Sequence, residues 1–197
     1  MSAASRPLSV LELDATAQAD LVRNGELTAA ELVDLSIAQI ENLNPRVNAV
    51  IHQHFERARE EARGPLPDGP FRGVPILLKD LGCGHVQGDP IHSGTRFLRD
   101  ADHRAASTSY LVAKLRAAGF VVVGRSNVPE LGVWLTTEPE AYGATRNPWD
   151  LARSCGGSLA PVGRRISRPT TISRPSRPAT SSGCVTTSSS SRGTAST

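Results

Sequence analysis

The chain has 197 residues, of which 22 are basic, 19 acidic and 39% hydrophobic. That length suits one domain with a core of its own, although the apolar share is low for a globular domain. No apolar run approaches the roughly 20 residues of a membrane helix. The start, MSAASRPLSVLELDA, lacks the basic stretch and apolar run of a secretory signal, so a cytoplasmic location is expected.

The apolar shortfall is local. Residues 161–197 include ten Ser, seven Thr, six Arg and four Pro, with no acidic residue, no aromatic and no lysine. Six of the 22 basic residues and none of the 19 acidic ones therefore lie beyond residue 160. The body is net acidic, and the overall charge of +3 belongs to the tail, so it is poor evidence that the body binds nucleic acid. Cys83, Cys155 and Cys184 are odd in number and lack metal-ligand spacing, which fits a reduced protein with free thiols.

In chain order, a first helix is expected from Asp14, a good N-cap, to Gly25. Thr28 and Glu31 form a T-x-x-E capping box ahead of a second helix, with Leu32, Leu35, Ile40 and Leu43 on one face and Pro45 ending it. NAVI (48–51) is a strand candidate, HFERAREEAR (54–63) a polar surface helix, and GVPILLKD (73–80) a buried strand. Residues 81–95 read as a glycine-rich connection. Ser107 is expected to cap a helix carrying Tyr110, Leu111, Lys114, Leu115 and Ala118, closed by Gly119. FVVVG (120–124) is a second buried strand. Strands alternating with helices predict an α/β domain whose sheet is largely buried on both faces. The tail has no helical or strand period and repeats SRP three times, a composition of disordered chain.

Two places could carry chemistry. Lys79 ends the apolar run Val74–Leu78, where desolvation favours a neutral amine that can act as a base. The alternative is a lysine whose head reaches solvent beside Asp80. Ser154, Gly156, Gly157 and Ser158 form a glycine-rich loop whose amides could turn toward a developing oxyanion, with a serine as nucleophile or relay. An ordinary loop would have the same composition. The G-x-G at 82–84 lacks the rest of a dinucleotide fingerprint. His52, His54, His85, His92 and His103 show no ligand spacing, so they are expected at the surface or in loops, with no metal site.

In order, GVPILLKDL, SGT, LRAAGFVVVGRSNVPELG and YGATRNPWDLARSCGGS resemble the amidase signature family of serine hydrolases over about residues 10–158. The resemblance implies the N-terminal part of a mixed-sheet α/β/α fold and a Ser–cisSer–Lys triad. It also implies a small-molecule amide as substrate, no cofactor, and the possibility of a homodimer in a full-length member. Lys79 matches the family's base and Ser158 its bridging serine, with Gly156 and Gly157 in the same loop. The nucleophile would be a second serine about two dozen residues on, in a G-T-D-x-G-G-S stretch.

The match breaks after Ser158, where LAPVG stands in place of the family's second serine and two glycines, and Cys155 replaces the usual proline. No GTDxGGS follows, so the nucleophile has no matching residue. Ser182 lies near the right distance but has no glycine pair before it. A partial amidase domain at 1–160 and a low-complexity tail at 161–197 are therefore expected, the tail being either an out-of-frame reading of a GC-rich gene or, as the alternative, a genuine fusion to a disordered basic tail. Three functions follow: an amidase lacking its nucleophile and so inactive as written, a glutamine-hydrolysing subunit of a tRNA-dependent amidotransferase, or a non-catalytic chain whose basic tail binds nucleic acid weakly. No specific nucleic-acid partner and no membrane partner are expected.

Overall fold

The computed structural model describes residues 10–156. Helix α1 (Ala15–Arg23) starts where Asp14 accepts from the Ala17 amide at 2.9 Å and ends at Asn24. Helix α2 (Ala29–Val47) opens on the predicted capping box. Thr28 accepts from the Glu31 amide at 3.2 Å, and the Glu31 carboxylate accepts from the Thr28 amide at 2.8 Å. Pro45 does not end α2 but sits in its last turn, and Asn48 closes the helix in the left-handed region. The hydrogen bond that Pro45 cannot make would go to the carbonyl of Glu41, a residue on the exposed side of the helix.

The central sheet has three strands in the order β1 (Val50–Gln53), β3 (Val121–Ser126), β2 (Pro75–Lys79). β1 is antiparallel to β3, and β2 is parallel to it, with Lys79 opposite Ser126. All six residues of β3 are buried, as a central strand covered on both faces requires. Its side chains alternate between two cores. Val121 and Val123 pack with Val33, Ile37 and Ile40 of α2 and with Ala58 and Ala62 of α3 (Phe55–Arg63). Val122 packs on the other face with Leu78, Val86 and Val112. The result is an α/β/α arrangement with a mixed sheet, as the resemblance implied.

Several details differ from the sequence reading. The helix at 54–63 is not wholly on the surface, because Ala58 and Ala62 bring it close to the sheet. The buried line of α2 runs through Leu32, Val33, Ile37 and Ile40, while Leu35 and Leu43 are only half-buried. Helix α4 is the short Arg96–Asp100 segment. Helix α5 (Tyr110–Ala117) is capped by Ser109 rather than Ser107, its hydroxyl accepting from the Val112 amide at 3.2 Å. That shift makes Val112 the buried anchor and leaves Tyr110 and Leu111 exposed. A hairpin of β4 (Arg146–Asn147) and β5 (Asp150–Ser154) follows, its turn held by the Trp149 amide donating to Asn147 Oδ1 at 3.0 Å. The expected tail at 161–197, Ser158 and Gly157 lie outside the described residues.

Candidate active site at the end of the parallel strand

Lys79 is the last residue of β2 and is half-buried. The next residue, Asp80, is fully buried, and its amide donates to the Ser126 carbonyl at 3.3 Å. A buried carboxylate is costly unless its oxygens are satisfied. Here the His92 amide donates to both oxygens, at 3.2 and 3.3 Å, and the amides of Ser93 and Gly94 donate as well. Arg125 Nε lies 3.5 Å away, also fully buried. Burial pushes Asp80 up to about 6, against the opposing pull of Arg125 and the three amides. Arg125 directs its two terminal nitrogens to the Gly84 carbonyl, at 2.6 and 2.8 Å. Position 84 has no room for a larger residue, since a Cβ there would stand 2.4 Å from the Lys79 carbonyl oxygen.

The glycine-rich loop is tied to the same strand end by a run of hydrogen bonds. Asn127, one residue past β3, donates to Thr145 Oγ1 at 3.0 Å. The Thr145 amide donates to the Thr137 carbonyl at 2.8 Å, and the Thr137 hydroxyl donates to the Gly156 carbonyl at 3.2 Å. Asn127, Thr137 and Thr145 are all buried. The Gly156 amide donates to Ser154 Oγ at 3.3 Å, and Gly156 itself is exposed. Burial pushes the Cys155 thiol up, so it is a neutral thiol near neutral pH. The run ties Gly156 to Asn127, next to Ser126, which pairs with Lys79 across the sheet; Asn127 and Thr145 lie in the stretches RSNVPELG and YGATRNPWD that carry the resemblance. Thr137 stands outside those stretches, and no local pattern marks it.

His54, His85, His92 and His103 lie in loops, as expected, with His103 exposed, but His52 lies on β1. His92 is buried, and His52 and His54 are half-buried. The Tyr142 hydroxyl hydrogen-bonds His92 Nδ1 and lies 3.2 Å from His52 Nε2. His54 Nε2 is 3.3 Å from Asp89, whose carboxylate also takes a two-pronged contact from Arg57 at 2.6 and 2.8 Å. Burial lowers His52 and His54 to about 4 and lowers His92 as well, while it raises Tyr142 to about 12. Among the described residues no three His, Cys, Asp or Glu side chains are grouped to hold a metal ion, and no helix is long and apolar enough to cross a membrane. His85 bonds the Gly82 carbonyl through Nδ1 at 3.0 Å.

The comparisons decide the family. A family model described as Amidase matches residues 31–160, a span that includes Lys79 and Ser158. The chain belongs to the amidase family. It is 50% identical over 153 residues to 6-aminohexanoate-cyclic-dimer hydrolase of Pseudomonas sp. (strain NK87), covering 78% of this chain and 30% of that protein. It is 39% identical over 153 residues to a glutamyl-tRNA(Gln) amidotransferase subunit of Salinispora arenicola (strain CNS-205), covering 74% and 30%. A solved structure of 6-aminohexanoate cyclic dimer hydrolase matches with a TM-score of 0.71 and 52% identity, over 75% of this chain and 30% of that one. This amidase chain therefore spans 30% of the length of these relatives, and its fold is part of theirs.

Proposed function

We propose that this amidase segment contributes the base and the proton relay of an amide hydrolase acting on carboxamide C–N bonds through an acyl-serine intermediate. The observation that supports it most is the position of Lys79, half-buried at the end of a parallel strand inside the matched span. In this reading the Lys79 amine acts as the base, accepting a proton from Ser158, which in turn takes one from the nucleophilic serine as that serine attacks the amide carbonyl. The pair returns the proton to the leaving amine. Water then attacks the acyl ester and frees the acid. Backbone amides near the nucleophile would hold the oxyanion.

The nucleophile has no counterpart in the matching stretch, so the 197-residue polypeptide by itself is expected not to turn over amides. A glutamine-hydrolysing amidotransferase subunit is the second reading, carried by the 39% match. The higher identity to the cyclic-dimer hydrolase favours the first. A cytoplasmic setting and a small-molecule amide partner belong to the same proposal.

The test is a chimera in which residues 10–156 replace the matching segment of 6-aminohexanoate-cyclic-dimer hydrolase. Hydrolysis of the cyclic dimer is expected in the chimera, with a loss of about a thousandfold or more in kcat for Lys79→Ala, the scale seen when a triad member is removed. Retention of turnover by Lys79→Ala would overturn the assignment. Turnover by the unmodified 197-residue chain would overturn the expectation of inactivity.

A further inference from the structure

We propose that Asp80 is a positioning residue for Lys79: its buried carboxylate closes the loop of residues 81–95 on itself and so fixes the strand end that carries the lysine. The proposal rests on the reading of Lys79 as the base.

The carboxylate is held by three consecutive backbone amides, those of His92, Ser93 and Gly94. Successive amides converge on one anion when the chain turns through the left-handed region, and Ser93 (φ 49°) and Gly94 (φ 70°) do so. That conformation is costly for serine, and surrounding contacts must hold it. Gly94 cannot be larger, because a Cβ would meet the Val128 carbonyl oxygen at 2.6 Å. The same carboxylate engages Arg125, whose other nitrogens clamp the Gly84 carbonyl near the start of the loop. Gly84 in turn lies against the Lys79 carbonyl. The Ser93 carbonyl accepts from the Leu131 amide at 2.8 Å, which fastens the loop to the segment after β3. One carboxylate thus joins the beginning of the loop, its end and the central strand, one residue from Lys79.

Stability alone does not account for this arrangement, because a buried ion pair is often no more stabilising than apolar residues of the same size. Geometry is what such a clamp fixes beyond stability. The chain has only two lysines, Lys79 and Lys114, and Lys114 lies on the exposed face of α5, over the Tyr110 ring.

The full chain is labelled with lysine carrying 13C at the ε-carbon, which yields two signals, assigned through Lys79→Arg. In the parent chain the Lys79 signal is expected to stand apart from that of Lys114 and to relax as a restricted side chain. Asp80→Asn keeps the size and removes the charge. It is expected to abolish the separate Lys79 signal while far-UV circular dichroism and the methyl signals of Val121 and Val123 persist. Arg125→Lys keeps a charge but loses the fork to Gly84, and the same loss is expected there, which covers the case in which Asp80→Asn does not fold. A purely structural role would lower the unfolding temperature and leave the Lys79 signal in place, and that result overturns the proposal. So does a parent chain whose Lys79 signal already matches that of Lys114, or failure of both variants to fold, which would make the pair a folding requirement instead. The readout is the lysine's orientation and not turnover, so the positioning role and the base role fail separately.

Discussion

His52 and His54 stand two residues apart and face different partners, Tyr142 for the first and Asp89 for the second. Burial is the largest cause of their lowering to about 4, from 6.5 in unfolded chain. A histidine lowered on folding contributes stability that is complete above 6.5 and is lost as pH falls toward 4, because only the unfolded chain takes up the proton. His92 adds in the same direction. Asp80 has the opposite sign. Raised from 3.8 to about 6, it takes a proton first in the folded state and offsets one of those gained by the unfolded chain. The balance still favours unfolding, so the urea midpoint is expected to fall between about pH 7 and about pH 5. A midpoint that stays flat or rises would contradict this assignment of charges. The place of Lys79 at a strand end was legible because a charged residue at the end of an apolar run is conspicuous. Asp80 reads from sequence as its surface partner, because its true partner, Arg125, is 45 residues away and nothing local announces the pairing.

At the scale of elements, capping chemistry was the most legible signal, since a cap is a bond between neighbours in sequence. Asp14 and the Thr28–Glu31 box start helices where they were expected. Ser107 gives way to Ser109, because the serines of this run are equally good caps and burial of Val112 decides between them. The β4–β5 hairpin escapes sequence reading because its strands are short, exposed and polar, with no alternating pattern to find. The relative weight of cap and core on α2 can be measured. Thr28→Ala removes both exposed hydrogen bonds of the Thr28 hydroxyl, the one from the Glu31 amide and the one to the Glu31 carboxylate, and is expected to cost about 1 kcal/mol. Ile37→Ala leaves a void beneath a fully buried side chain on the sheet and is expected to cost about 2–5 kcal/mol. Urea unfolding of the two variants gives the order directly. Equal losses would mean that α2 is held by its end rather than by its packing.

At the scale of the whole molecule, the notable surface is the run after β3. Leu131, Val133, Trp134 and Leu135 are 58%, 72%, 63% and 86% exposed, and Gly132 between them packs against Leu81, two residues past Lys79. A contiguous apolar strip of this kind is rare on a monomer and invites contact. The described sheet also ends on β1 and β2, whose outer edges have no further strand among the described residues. Because the chain spans 30% of the length of its amidase relatives, both features lie on a partial fold. Self-association that rises with protein concentration is therefore expected for the isolated chain. The strip and the edges can be separated. Val133→Lys with Leu135→Lys places two like charges on the strip without touching the sheet. Substitutions at such exposed positions shift stability by no more than about 0.5 kcal/mol. Sedimentation velocity over a wide concentration range is expected to show the double variant largely monomeric, with its unfolding temperature unchanged. If it associates as the parent does, the sheet edges carry the contact, and a proline in β2 at a position whose amide faces outward becomes the informative change.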